Sequence, residues 1–173
     1  MRHRMIQFFI GTLLLGLTTA ASAENSLKQG AKALSFGIVD SDIEISGRLF
    51  VSPDVAALAG IGLAHSRNDE NTTDFSLSAG VRKYLAKSDL APFVGGTVSL
   101  RRNEVVVPTI TGTSIEADRV LAINGVLGAE YFFAKMVSAE AQIGVGISDA
   151  SNGADETTLG TFRSGVTVNI YFP

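Results

Sequence analysis

The sequence predicts an all-β chain, an eight-stranded antiparallel up-and-down transmembrane β-barrel, and three observations carry that expectation. The first is a period of two. From Phe162 to Phe172, Phe162, Ser164, Val166, Val168, Ile170 and Phe172 share one side, with Arg163, Gly165, Thr167, Asn169 and Tyr171 on the other, which is a strand with one apolar face. Val137, Ala139, Ala141, Ile143, Val145 and Ile147 alternate in the same way with Ser138, Glu140, Gln142, Gly144, Gly146 and Ser148. The second is the makeup of the polar faces, mostly Gly, Ser, Ala, Thr and Asn, where a water-facing surface carries about a quarter to a third charged residues. The third is length. A strand from Val137 to Ile147 spans roughly 36 Å, or about 25 Å in height when tilted near 45°, and the apolar band of an outer-membrane barrel has about that height. An apolar face turned to lipid and a small polar face turned to a narrow lumen satisfies all three.

The amino terminus is read separately. Arg2, His3 and Arg4 precede a mostly apolar run from Ile6 to Leu17 and the small-residue pattern Ala21-Ser22-Ala23, the organisation of a secretory signal peptide. The expected division is therefore a signal peptide over 1–23, a short polar tail inside the periplasm over 24–31 and a barrel over 32–173. Removing Arg2 and Arg4 from the 14 Lys and Arg leaves 12 basic against 17 acidic residues, a net charge of −5, which argues against nucleic acid as a partner. The chain has no cysteine, so disulfides and thiolate metal sites are excluded. After Ala23 the longest stretch free of Asp, Glu, Lys and Arg is Val55 to Ser66, too short for a membrane helix of about 20 residues. Any spanning falls to strands.

In order, the first strand is expected over Lys32–Val39 and the second over Ile43–Val51, separated by the turn residues Asp40-Ser41-Asp42. Ser52-Pro53-Asp54 leads to a third strand, Val55–Ala64, and a hydrophilic loop, Arg67–Thr72, to a fourth over about Thr73–Leu85. Strand five follows the turn Ala86–Leu90. The longest loop is expected over Asn103–Asp118, where Pro108 argues against an ordinary central strand. Strand six, Arg119–Phe133, turns through Ala134–Met136 into strand seven, and a last loop, Asp149–Gly160, precedes strand eight.

Composition by face places the candidate functional groups. Gly37, Gly80, Gly144 and six other strand glycines fall on the polar face, against Gly47, Gly96 and Gly125 on the apolar one, and small residues suit the inside of an eight-stranded barrel. Phe50, Tyr84, Phe93, Tyr131, Phe133 and Phe172 gather at the rim carrying the short turns and read as a periplasmic aromatic girdle. Charges on the polar face are few, and a lone desolvated charge is costly. Glu44, Arg48, Arg82, Glu130, Glu140 and Arg163 are therefore expected to pair in a lumen network. An even register puts Glu130 opposite Glu140, and the like charges require a cation between them; Arg82, or failing it Arg48, is expected to reach both. Arg67, Arg102 and Arg119 lie near the outer mouth, where lipopolysaccharide phosphates would be.

Pro92-Phe93-Val94-Gly95-Gly96, Gly128-Ala129-Glu130-Tyr131-Phe132, Ser138-Ala139-Glu140-Ala141 and the alternating tail ending in Tyr171-Phe172 resemble, in that order, the small eight-stranded outer-membrane β-barrel family that includes the OmpA transmembrane domain and the opacity-type surface proteins. The likeness covers nearly all of Lys32 to Phe172. It implies outer-membrane lipid and lipopolysaccharide as surroundings, a monomer, and recognition of the terminal aromatic by the barrel-assembly machinery; here Pro173 follows that aromatic.

No phosphate loop, cofactor fingerprint or metal-ligand cluster appears, so no cofactor is expected. His65 and Ser66 are adjacent and point to opposite faces of a strand, which argues against a nucleophile and base. Asp149, Asn152, Asp155 and Glu156 do not match calcium-loop spacing. The expected function is non-enzymatic: an outer-membrane barrel with a largely filled polar lumen, as surface antigen, adhesin or envelope-integrity protein, its loops meeting an extracellular ligand. The alternatives are a small-solute channel and a soluble periplasmic lipid-binding barrel. Intact mass spectrometry of the exported protein should give a chain beginning at Glu24; retention of residues 1–23 would mean that the leader is an anchor.

Overall fold

Alternation over the whole chain produces eight strands: β1 (Lys32–Val39), β2 (Asp42–Phe50), β3 (Val55–Arg67), β4 (Asn71–Tyr84), β5 (Leu90–Thr109), β6 (Gly112–Ala134), β7 (Val137–Ser151) and β8 (Asp155–Phe172). The computed structural model describes residues 27–40, 42–67, 71–109, 112–151 and 155–172, and their side chains except at 64–73, 103–118 and 150–161. The expected signal peptide lies outside the described residues. Each strand pairs antiparallel with its sequence neighbours, and β1 pairs with β8 from Lys32 opposite Phe172 to Val39 opposite Gly165. Closure leaves the barrel body no free sheet edge.

The apolar face is outside. Ile143, Val145, Val166 and Val168 are 48%, 63%, 61% and 45% exposed, whereas Gln142, Thr167 and Asn169, each next to one of them in sequence, are all under 9%. The interior is too narrow for anything larger than glycine on many rungs. A Cβ on Gly146 would stand 2.1 Å from the Ile123 carbonyl oxygen, while one on the outward Gly47 would meet nothing within 4 Å.

The long loops expected from sequence are largely strand. β5 and β6 remain paired rung by rung from Leu90 opposite Tyr131 out to Thr109 opposite Gly112, so Asn103–Asp118 is a hairpin and not a loop. Pro108 is accommodated because it pairs with Thr113 near the tip, in a two-stranded ribbon that has passed β4, where a missing N–H on the free edge costs nothing. Likewise β7 continues to Ser151 and β8 begins at Asp155, and β3 and β4 run to Arg67 and from Asn71. With β1 only 8 residues long and β6 23, the hairpin rim slopes from a low wall at β1–β2 to a high one at β5–β6.

At the opposite, short-turn end, the described part of the segment expected as a tail folds into the mouth. Leu27 and Ala31 are buried in one apolar cluster that also holds Phe50, Tyr84 and Phe132. Gly30, at φ +82°, donates its N–H to the Phe50 carbonyl, and the Phe50 N–H returns to the Ala31 carbonyl. Glycine is required there because other residues rarely adopt that backbone.

Gly146→Ala should cost about 1–3 kcal/mol by overpacking, and Gly47→Ala on the outer face should change stability by less than about 0.5 kcal/mol; urea unfolding of the folded barrel measures both.

Candidate functional site in the barrel lumen

β6 and β7 are joined by the tight turn Lys135-Met136, with a bulge between Phe132 and Ala134, and this register sets Glu130 directly opposite Glu140. Both side chains point into the lumen and both are buried, Glu130 completely. Two facing carboxylates out of water repel and must be compensated.

The compensation comes from the far wall. In a ring of eight strands β2 lies four positions from β6, so Arg48 extends across the axis. Its Nη1 donates to Glu130 Oε2 at 2.8 Å and its Nη2 to Glu140 Oε2 at 2.7 Å. Nη1 also donates to the hydroxyls of Tyr84, at 2.7 Å, and Tyr171, at 3.0 Å. Those hydroxyls pass their own protons on, Tyr84 to Glu130 Oε2 at 2.5 Å and Tyr171 to Glu130 Oε1 at 2.7 Å. Ser138 Oγ donates to Glu130 Oε1 as well, and Asn169 Nδ2 donates to the same oxygen at 2.9 Å. Glu130 thus accepts from five donors on β2, β4, β7 and β8, which is full use of a carboxylate's capacity.

The expectation that Arg82 reaches both glutamates is corrected. Arg82 Nη1 bonds Glu140 Oε2 at 2.5 Å, but its Nη2 is taken by Gln142 Oε1 at 2.9 Å. The Phe93 ring lies 4.3 Å from its guanidinium carbon, a cation–π contact that holds it to one side. Arg48 is the residue between the two acids. Arg163 and Glu44 do not join this cluster. Arg163 lies within 3.4 Å of both Asp40 and Glu44 nearer the hairpin end, and Arg101 pairs with Asp42 at 2.6 Å. Between these outer pairs and the far wall is a cavity of about 250 Å³ lined by Asp40, Ser99, Arg101, Asn124, Ser148 and Arg163 among others.

The aromatic girdle is corrected too. Phe50, Tyr84 and Phe93 are buried inside, with Phe132 and Tyr171, because they have the parity of Arg48, Arg82 and Asn169 on their own strands. Ring centroids 5.4 Å apart for Phe50–Tyr84 and Phe132–Tyr171, and 5.7 Å for Tyr84–Phe93, make these five a floor beneath the charges. Only Tyr131, Phe133 and Phe172 of the expected set lie on the outer face, where Tyr131 and Phe133 pack edge to face. Tyr84, Tyr171, Asn169, Ser138 and Gln142 were not anticipated as partners; the signal for them was parity with the charged residues of their strands. The side chains of Arg67, His65 and Ser66 lie outside the described residues. Arg102 and Arg119 are exposed on one rung of β5 and β6. Among the described residues no group of three or more His, Asp or Glu could hold a metal.

Solved structures with the same architecture include the N-terminal β-barrel domain of Pseudomonas aeruginosa OprF, at TM-score 0.60 and 15% identity over 83% of this chain and 98% of that one. Neisserial surface protein A (NspA) gives 0.57 and 14% over 82% and 94%. The Yersinia pestis outer membrane protein Ail gives 0.54 and 11% over 83% and 100%. No protein-family model matches the sequence, and no curated protein matches it either. Likeness at such identity is a statement about fold.

Arg48→Met, which leaves Glu130 without a cation and Glu140 with Arg82 alone, should destabilise the barrel by about 3–5 kcal/mol, and Arg82→Met by less. Adding Glu130→Gln and Glu140→Gln to Arg48→Met should recover a large part of the loss. Thermal unfolding in detergent, arranged as a mutant cycle, checks all three.

Proposed function

We propose that this chain, which has the fold of the small eight-stranded outer-membrane barrels, is a non-enzymatic outer-membrane protein that works through its hairpin end while its lumen stays shut. The observation that carries the reading is the inversion of faces. A belt of exposed Ile, Val, Leu and Phe encircles the outside, a surface no water-soluble monomer tolerates and one that acyl chains cover. This opposes the soluble lipid-binding alternative, whose apolar side would be inward. The proposed orientation puts the short turns and Leu27–Ala31 in the periplasm and the β5–β6 hairpin outside, where an extracellular ligand would meet it in a surface-antigen, adhesin or envelope-integrity role. Two proteins of similar fold are a surface protein, NspA, and an attachment invasion locus protein, Ail, a likeness that supports a surface role. Lipopolysaccharide around the barrel, assembly-machinery recognition at Phe172 and a monomeric state belong to the same proposal.

The small-solute channel has one observation in its favour, the outer-half cavity of about 250 Å³. Against it stand two barriers in series: Arg48 bonded across the axis, then the aromatic floor closed by Leu27 and Ala31. In planar bilayers the purified barrel should give no steady single-channel openings; reproducible conductance from the unaltered protein would favour the channel. Envelope fractionation should recover the protein with the outer membrane, and protease added to whole cells should cleave within 103–118.

A further inference from the structure

Two rungs of the barrel place like charges face to face. Inside, Glu130 faces Glu140 and the chain supplies Arg48 and Arg82 as counterions. Outside, Arg102 of β5 faces Arg119 of β6, both exposed, and neither makes an ion pair with any described residue. Directly opposite residues hold their Cβ atoms about 4.5–5.5 Å apart, and like charges so placed are destabilising. Among the described residues the second rung therefore lacks what the first one has.

Its location says where a counterion would come from. Arg102 and Arg119 are the next outward-facing rung beyond Leu100 and Leu121, which are 48% and 46% exposed, and Phe75, 41% exposed, stands beside Arg102 on β4. From Tyr131 to Leu121 the outer face of β6 carries no charge. That length, about 33 Å along the strand, is roughly 25 Å of height at ordinary barrel tilt, so the arginine rung sits at the margin of the apolar belt. We propose that Arg102 and Arg119 form a two-guanidinium clamp for the phosphate of a membrane-lipid headgroup, with Leu100, Leu121 and Phe75 against the first carbons of its acyl chains. A phosphate offers several acceptor oxygens to two planar forks and forms charge-assisted, bidentate hydrogen bonds with each. This inference rests on the outer-membrane reading and adds a ligand chemistry to it. The competing counterions are Glu104, two residues further along β5 and diagonal to Arg119 in the register, and the exposed Asp149 of β7, which stands opposite Leu121 and so diagonal to Arg119 on its other side.

The test uses the purified barrel in phosphate-free non-ionic detergent, titrated with bis-phosphorylated lipid A and followed by native mass spectrometry and melting temperature. The unaltered protein should bind and its melting temperature should rise. Arg102→Gln and Arg119→Gln should each weaken binding roughly tenfold, and without lipid each should keep or raise the melting temperature, because a repulsion has been removed. Arg102→Lys, which keeps the charge and loses the fork, should fall between and keeps the test readable if a glutamine variant fails to fold. Four results would overturn the clamp: undiminished binding by the double variant, equal binding of dephosphorylated lipid A, the same thermal shift from inorganic phosphate alone, or a loss of lipid-free stability in Glu104→Gln. Any of these with the protein still in the outer-membrane fraction removes the clamp and leaves the proposed function standing.

Discussion

Two carboxylates that face each other in a dry interior are the constraint around which this barrel is built. Glu130 and Glu140 cannot both be charged there without cations at hydrogen-bond distance, and the ladder gives them no freedom to separate. The solution draws donors from β2, β4, β7 and β8. Backbone pairing ties each strand only to its immediate neighbours. The polar cluster ties walls that never touch, and so holds the cross-section as well as the circumference.

That role explains why a costly device is kept where apolar packing could fill space. A buried ion pair contributes little net stability compared with well-packed hydrophobic residues. What it contributes is register. A slip of one residue in any contributing strand would turn its polar groups outward and its apolar ones into the lumen, leaving Glu130 or Arg48 without partners. The aromatic floor below depends on the same alignment, since Phe50, Tyr84 and Tyr171 follow Arg48, Arg82 and Asn169 by two residues.

Fold class, strand number and the direction of the apolar face were legible in the sequence because a period of two, repeated eight times, leaves few other solutions. The facing glutamates were legible for the same reason: a tight turn fixes parity. The sequence misleads at three points. Phe50, Tyr84 and Phe93 were grouped by their height along the strands, and height does not say which way a side chain points; parity does, and it put them inside. The choice between Arg82 and Arg48 depended on which strand stands across the axis and on a ring that detains Arg82, and strand order on paper does not give distances through a lumen. The hydrophilic stretches carry the signature of loops because they lack an apolar face, yet a ribbon surrounded by water needs none.

The barrel is closed by its shortest wall. β1 meets β2 on one side and β8 on the other over eight rungs each, and the β1–β8 seam joins residues as far apart in sequence as Lys32 and Phe172, whereas every other pairing is a local hairpin. Bringing distant segments together carries the largest chain-entropy penalty. The pairing with the largest cost of closure is thus held by as few rungs as any in the barrel.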